Sequence, residues 1–384
     1  MTEFPFSEDA VLEAARAATG LSDFGGDGFR EGLRVLLETY EGAAGLSERG
    51  RKHNWRRVVL LLSTRLRVAK TLREHPEIRE RELRRPVYLT GLPRTGTSAL
   101  FNLLASDPAA RPLLAWEGIF PDPMELEAGQ PDPRHEAMRA ADERTRQRDP
   151  EFSRIHHTGA DTPEECVLLL AHCFRDVQVG IEVLMEPYGS WFQDQDLGSS
   201  YAYYADLLRM LDFQRPGERW LLKSPAHLWG LDALVDQFPD ACIVMTHRNP
   251  LECIPSYCSM IEALLNSRGC APRPDLGESV LEYLARSLER GLHSRDALDP
   301  AHFLDVDYRA FIADPLATAS EIYAQFGLEL AGSAEIALSG HVRDNPQGRH
   351  GAHEYGLEKY GLTPGAVRQR LAGYIERFKL ESRD

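Results

Sequence analysis

Gly91-Leu-Pro-Arg-Thr-Gly-Thr-Ser98 has the spacing of a phosphate-binding loop, G-x-x-x-x-G-x-[ST]. In such a loop the glycines let the backbone turn so that successive N–H groups point at one phosphate. The N-terminus of the following helix adds partial positive charge. A nucleotide triphosphatase carries Lys immediately before the last hydroxyl residue. Here that place is Thr97, and the cation is Arg94, inside the loop. No clear acidic residue ends an apolar strand to hold magnesium; Asp305 is the nearest and lies in a different kind of motif. The loop therefore reads as a holder of a nucleotide phosphate without metal-assisted γ-phosphoryl chemistry. A second anion grip is expected at Arg248 and Ser256. Arg248 follows the apolar run Ala241–Thr246, and Ser256 comes eight residues later in a predicted helix. A planar cation and a hydroxyl there can share a phosphate.

These residues need a scaffold, and the chain reads as strand-then-helix units. Val87-Tyr88-Leu89 leads into the loop and then into a helical pattern at Ala99, Leu100, Leu103 and Leu104. Trp220–Leu222 leads through Lys223-Ser-Pro to a helix beginning near His227. Ala241–Thr246 precedes a helix running to Leu265, and Phe303–Val306 precedes one from Pro315 to Phe326. Repeated strand-helix order predicts an α/β fold, a parallel sheet with helices on both faces. Ligands of such sheets bind outside the carboxyl ends of the strands. Residues 1–85 read as a helical extension packed on this core, with Trp55, Val58, Val59, Leu62, Leu66, Ala69 and Leu72 at helical spacing. Residues 86–384 form the α/β domain. Within it, 105–160 is irregular and reads as a lid or pocket segment. Thr162-Pro-Glu-Glu165 is expected to open a helix, with Thr162 as N-cap and Glu165 in the capping-box position.

The Lys-free P-R-[ST]-G-[ST] loop, paired with a strand-end Arg and a Ser eight residues on, resembles the sulfotransferases that use 3′-phosphoadenosine 5′-phosphosulfate. The resemblance covers most of the chain after Pro86. It is nearest to bacterial members with a long helical N-terminal extension, and it implies their P-loop-like three-layer fold. It also implies that Arg94, Thr95, Gly96, Thr97 and Ser98 hold the 5′-phosphosulfate, and that Arg248 and Ser256 hold the 3′-phosphate. Tyr308, in Asp-Val-Asp-Tyr, is similar to the family's strand-end tyrosine near the adenine. Arg349, in the late Arg-His-Gly-Ala-His segment, is similar to the basic loop that closes over the 3′-phosphate. Two departures stand out. Many members have Lys where Arg94 sits, and the Trp that usually follows the loop is absent at Ala99-Leu100.

Sulfuryl transfer requires a base for the acceptor proton, an in-line grip on the SO3 group and stabilisation of the bridging oxygen. Lys223-Ser-Pro-Ala-His227 can supply the side chains. His227 stands 21 residues before Arg248, which is similar to the family's spacing between base and arginine. Neutral imidazole is matched to proton removal near pH 7. The expected catalytic set is therefore His227, Lys223 and Arg94. Glu164 and Glu165 compete for the base, ranked lower because capping accounts for Glu165. Six aromatics between Tyr188 and Tyr204 read as a core helix before they read as a pocket wall. His156-His157 and Trp116-Glu117 are further wall candidates. His350 and His353 resemble a metal spacing but lack a third strong ligand, and no metal is expected.

The implied reaction moves the sulfuryl group from the donor to a hydroxyl, less readily an amine, of a small aromatic or apolar acceptor, leaving adenosine 3′,5′-bisphosphate. The alternatives are a P-loop phosphotransferase and a non-catalytic nucleotide-binding protein. The net charge of −15 over 384 residues opposes nucleic-acid binding, which needs a basic surface. No apolar run approaches the roughly 18–20 residues that span a bilayer, and the acidic start MTEFPFSEDA does not read as a secretory leader. Six scattered cysteines without a C-x-x-C pair point to a reducing cytoplasm. From Arg49 to Arg85 there are 13 basic and 4 acidic residues. That segment reads as a solvated face or as a positive rim beside the site. The apolar extension leaves two uses open, capping the domain or pairing two chains as a homodimer.

Overall fold

The computed structural model describes residues 3–43, 46–127, 129–148, 159–178, 180–345 and 356–380. Five strands form its sheet: β1 (Val87–Gly91), β2 (Ala110–Pro112), β3 (Arg219–Lys223), β4 (Cys242–His247) and β5 (Phe303–Asp307). Their order is β2-β3-β1-β4-β5, and every pair is parallel. All five residues of β1 and all six of β4 are buried, as central strands covered on both faces must be. Register pairs Leu89 with Lys223, Gly91 with Thr246 and Thr246 with Val306. The carboxyl ends of β1, β3, β4 and β5 therefore share one edge.

Side chains alternate across the sheet. Val87, Leu89, Leu221 and Val244 join one apolar cluster with Leu100, Leu103 and Leu104 of helix α4 (Thr97–Leu104). Tyr88, Leu222, Ile243 and Met245 join a larger cluster on the other face. That larger cluster includes the N-terminal helices α1 (Glu8–Thr19), α2 (Arg30–Gly42) and α3 (Glu48–Glu74) through Val11, Leu33, Leu36, Val58, Leu62 and Leu66. One hydrophobic core thus runs through residues on both sides of Pro86.

The basic segment turns out to be fastening. Arg67 pairs with Asp122 at 2.7 Å, Arg79 with Asp206 at 3.0 Å, and Arg81 with Asp212. These partners belong to the α/β part, so part of the segment's charge attaches the extension, while Arg51, Arg73 and Arg84 pair within residues 1–85. The described residues of the 105–160 segment hold more regular structure than their composition suggests. They supply edge strand β2 and helices α5 (Ala115–Ile119) and α6 (Pro133–Arg148). Glu117, expected as a pocket wall, is buried and ion-paired to Arg111 at 2.8 Å and to Arg215 at 2.9 Å. His156 and His157 lie outside the described residues. The aromatic run is core: Tyr188, Phe192, Tyr201 and Tyr204 are buried, and Trp191 and Tyr203 pack against them.

Behind α2 and α3 lies a buried ionic cluster. The Tyr40 hydroxyl donates to Glu182 at 2.8 Å, and Arg57 approaches the same carboxylate at 3.8 Å. Asp176 belongs to this cluster. Burial raises its carboxyl to about 7, against the opposing influence of Arg57. Folded Asp176 therefore binds a proton between pH 4 and pH 7 that the unfolded chain has released, and stability falls as pH rises through that window. Asp176→Asn, permanently neutral, is expected to melt above the parent at pH 8, by up to about 4 kcal/mol. The gap should close near pH 4. Melting curves across pH test this, and a pH-independent difference would remove Asp176 from the linkage.

Candidate active site

The loop between β1 and α4 is shaped by two glycines that no other residue could replace without strain. Gly91 has φ +132°, and a Cβ there would stand 2.4 Å from the Thr246 carbonyl oxygen on β4. Gly96 has φ +88°, and a Cβ would stand 2.7 Å from the Tyr308 ring. Arg94 is exposed and also left-handed, at φ 70°, a conformation that L-residues other than glycine adopt at a cost of about 1–2 kcal/mol. The buried Thr95 hydroxyl donates to the Leu92 carbonyl at 2.6 Å and lies 2.6 Å from the Thr246 hydroxyl. Its side chain therefore staples the loop to β4. Thr97 is likewise buried, whereas Ser98 is exposed at the first turn of α4, where main-chain amides lack helical acceptors.

The residues expected at the second anion grip meet the loop directly. Arg94 Nε donates to Ser256 Oγ at 3.0 Å, and Arg248 Nη1 donates to the Arg94 carbonyl at 3.2 Å. Asn249 caps the helix Pro250–Arg268 by accepting from the Leu251 amide, which holds Arg248 at the strand–helix junction. The Arg248 guanidinium lies 4.1 Å from the centroid of the Tyr308 ring and also pairs with Glu252 at 2.7 Å. Arg94, Gly96, Arg248, Ser256 and Tyr308 thus form one cluster, assembled from three strand ends. Arg349, His350 and His353 lie outside the described residues. Asp305, weighed as a magnesium ligand, is fully engaged by Arg295 and by His247 at 2.8 Å. Burial pushes its carboxyl up, but these hydrogen bonds outweigh that and hold it well below the usual carboxylate range.

Lys223 and His227 part company. Lys223 ends β3 on the α4 face, where Nζ donates to Ser98 Oγ at 3.2 Å and to Glu165 Oε1 at 2.6 Å. His227 sits in the short 3-10 turn Pro225–Trp229 and packs into the opposite face. It is completely buried. Its ring stands edge-on to Tyr88 at 5.1 Å, and Nδ1 lies 2.9 Å from the Tyr201 hydroxyl. Burial pushes the imidazole down to about 3. The expectation of His227 beside the loop thus needs correcting: the turn carries it into the aromatic core, away from Lys223 and Ser98.

The expected helix start at Thr162 is also corrected. Thr162 Oγ1 donates to the Gly159 carbonyl at 2.7 Å, Pro163 bridges to Leu114, and the helix begins only at Val167. Glu165 therefore has no capping duty. The Cys166 amide donates to the Lys223 carbonyl at 2.9 Å, which lays this extended stretch across the end of β3. Glu164, next to it, has its carboxyl raised by burial and by the charge of Glu165. The pairing of Glu165 with Lys223 is invisible in the sequence because a local cap and a long-range ion pair look the same in one dimension.

A row of anion-binding groups along a parallel sheet edge, with a lysine–glutamate pair beside it, can hold a multiply charged nucleotide and move a proton next to it. Comparison with known proteins gives the family. Residues 86–332 match the model described as the sulfotransferase family. The structure of sulfotransferase STF1 from Mycobacterium tuberculosis H37Rv superposes with TM-score 0.84 at 34% identity, covering 97% of this chain and 100% of that one. Sulfotransferase STF9 from Mycobacterium avium superposes with TM-score 0.85 at 28% identity, covering 98% and 97%. A stretch of 113 residues is 30% identical to omega-hydroxy-beta-dihydromenaquinone-9 sulfotransferase Stf3 of Mycobacterium bovis, and spans 28% of each protein. With a family match across the whole loop-bearing sheet and a relative aligned nearly end to end, the chain belongs to the sulfotransferase family.

Proposed function

We propose that this enzyme transfers a sulfuryl group from 3′-phosphoadenosine 5′-phosphosulfate to a hydroxyl of a small molecule, with Glu165 in the place expected for His227. The observation that carries the reading is the hydrogen-bonded row Ser98–Lys223–Glu165 beside the phosphate loop, with steps of 3.2 and 2.6 Å. The donor, when bound, supplies an activated sulfuryl group on a phosphate leaving group. The loop amides, Arg94 and Ser98 suit its 5′ end, and Arg248 with Ser256 suits the 3′-phosphate. Tyr308 stands beside both. Lys223 holds positive charge next to Ser98, where charge develops during transfer. Glu165 takes the acceptor proton, and its hydrogen bond from Lys223 orients the carboxylate. The hydroxylated quinone in the name of the Stf3 relative supports an alcohol over an amine. Thr97 in the lysine place and the engaged Asp305 speak against the phosphotransferase alternative. Five buried and one half-buried cysteine, all free, suit the cytoplasm, and no helix among the described residues is long and apolar enough to cross a membrane.

Thermal shift tests the donor. Adenosine 3′,5′-bisphosphate should stabilise the protein; stabilisation by ATP–Mg²⁺ alone would overturn the reading. Arg248→Ala should weaken the bisphosphate about 10–100-fold, the worth of charge-assisted hydrogen bonds. Adenosine 5′-monophosphate, lacking the 3′-phosphate, should bind both forms alike. Equal losses for both nucleotides would place Arg248 elsewhere. Transfer of labelled sulfate to a panel of alcohols and amines then tests catalysis and the preference for oxygen.

A further inference from the structure

Arg248, like Lys223, is held by a carboxylate of its own chain. Arg248 Nε donates to Glu252 Oε2 at 2.8 Å, and Nη2 donates to the same oxygen at 2.7 Å. Nη1 donates to the Arg94 carbonyl at 3.2 Å, and the guanidinium lies 4.1 Å from the centroid of the Tyr308 ring. A guanidinium grips an oxyanion best with two parallel N–H bonds from one edge. The Nε–Nη2 edge of Arg248 is filled by Glu252, and the Nη1–Nη2 edge is partly used by the loop carbonyl. Ser256 differs. Its hydroxyl accepts from Arg94 at 3.0 Å and keeps a proton to donate.

Glu252 is loosely held. Its side chain is 52% exposed, against 27% for Arg248. It stands in the first turn of the helix Pro250–Arg268, four residues after its partner. Exposed pairs at this spacing are weak, so the carboxylate can swing into water when a stronger anion arrives. A phosphate dianion is such an anion. After the exchange the carboxylate still rides on the same turn as Arg248, within reach of the phosphate, and like charges repel. One acidic side chain thus opposes an anion at this grip twice, by holding the guanidinium and by facing the bound charge.

We propose that Glu252 is a built-in competitor for the phosphate at Arg248. It yields the guanidinium to the 3′-phosphate when nucleotide binds, weakens the hold on donor and product alike, and so speeds release of the bisphosphate. The proposal rests on the reading of Arg248 as the 3′-phosphate grip, so its test carries variants of both residues. Glu252→Gln keeps the size and an acceptor oxygen for Arg248 but removes the charge. Titration of the full chain with adenosine 3′,5′-bisphosphate should give a Kd about 5–30-fold below the parent, the effect of one charge removed from beside another near a protein surface. Stopped-flow displacement should show dissociation slowed by a similar factor. Affinity for adenosine 5′-monophosphate, which lacks the 3′-phosphate, should not change. Glu252 is exposed, so the melting temperature without nucleotide should stay close to that of the parent. A residue that merely props Arg248 gives the opposite sign, because its loss would loosen the guanidinium and weaken the bisphosphate. Weaker or unchanged bisphosphate binding in Glu252→Gln, with Arg248→Ala still impaired, overturns the competitor and leaves the 3′-phosphate reading standing. An equal gain for both nucleotides also overturns it, since that reports a general field and no contest at Arg248. Unimpaired bisphosphate binding in Arg248→Ala overturns the 3′-phosphate reading and the competitor with it.

Discussion

Glu165→Gln is expected to lower kcat about 10³-fold while leaving affinity for adenosine 3′,5′-bisphosphate within a few-fold of the parent. The substitution keeps size and one acceptor oxygen, so Lys223 retains a partner, but the amide cannot take a proton. General-base removal typically costs 10²–10⁴-fold. The matching experiment is His227→Gln. His227 is fully buried, and its Nδ1 engages Tyr201. Its loss should act on the fold, by about 2–4 kcal/mol from imperfect packing and an unpaired Tyr201 hydroxyl. Protein that stays folded at low temperature should keep kcat within about ten-fold. Melting curves and steady-state rates of both variants settle the assignment. The reverse pattern, a dead but stable His227 variant beside an active Glu165 variant, would return the base to the histidine.

Removing residues 1–85 should abolish cooperative folding rather than merely weaken it. The extension contributes Val11, Leu33, Leu36, Val58, Leu62 and Leu66 to the main core, and each fully buried aliphatic side chain is worth roughly 1.5–3 kcal/mol. That sum, about 9–18 kcal/mol, matches or exceeds the roughly 5–15 kcal/mol stability of an ordinary domain. Truncation also takes partners from buried carboxylates, although Asp122 keeps Arg134. Glu182 is wholly buried and would lose Tyr40 and Arg57, and Asp122 would lose Arg67; breaking a buried pair by removing one partner costs about 3–5 kcal/mol. Expression of 86–384 followed by circular dichroism and bisphosphate thermal shift tests this. A sharp, ligand-responsive melt of the fragment would show that the extension is an accessory.

Much of the fold was legible because its signals are local. The loop spacing at Gly91–Ser98, the apolar strands and the Asn249-Pro250 helix start need only neighbouring residues, and the structure has them within one or two positions. The meeting of Arg94, Arg248, Ser256 and Tyr308 was also legible, since a parallel sheet brings its strand ends to one edge. Two kinds of feature were not. The side-chain direction after a strand depends on the exact turn: Ser224-Pro225 forms a 3-10 turn instead of an α-helix start, and that turn sends His227 inward. The partner of Glu165 lies 58 residues away at Lys223, a separation that no capping pattern can reveal. The charge surplus of Arg49–Arg85 was visible, but its acidic partners, such as Asp122 and Asp206, are scattered through the later chain.

The staple between Thr95 and Thr246 has a consequence for selectivity. Together with the hydrogen bond from Arg248 to the Arg94 carbonyl, it ties the loop that ends β1 to the junction that ends β4. The two proposed anion grips are therefore tied to each other, and the gap between them is set by the spacing of two adjacent strands. Such a pair acts as a ruler. A nucleotide whose two phosphate groups match the gap engages both grips at no cost in rearrangement. On the proposed reading, an isomer with the same charge but its second phosphate on the neighbouring ribose oxygen would give up one grip, so the site would discriminate by length where charge alone could not.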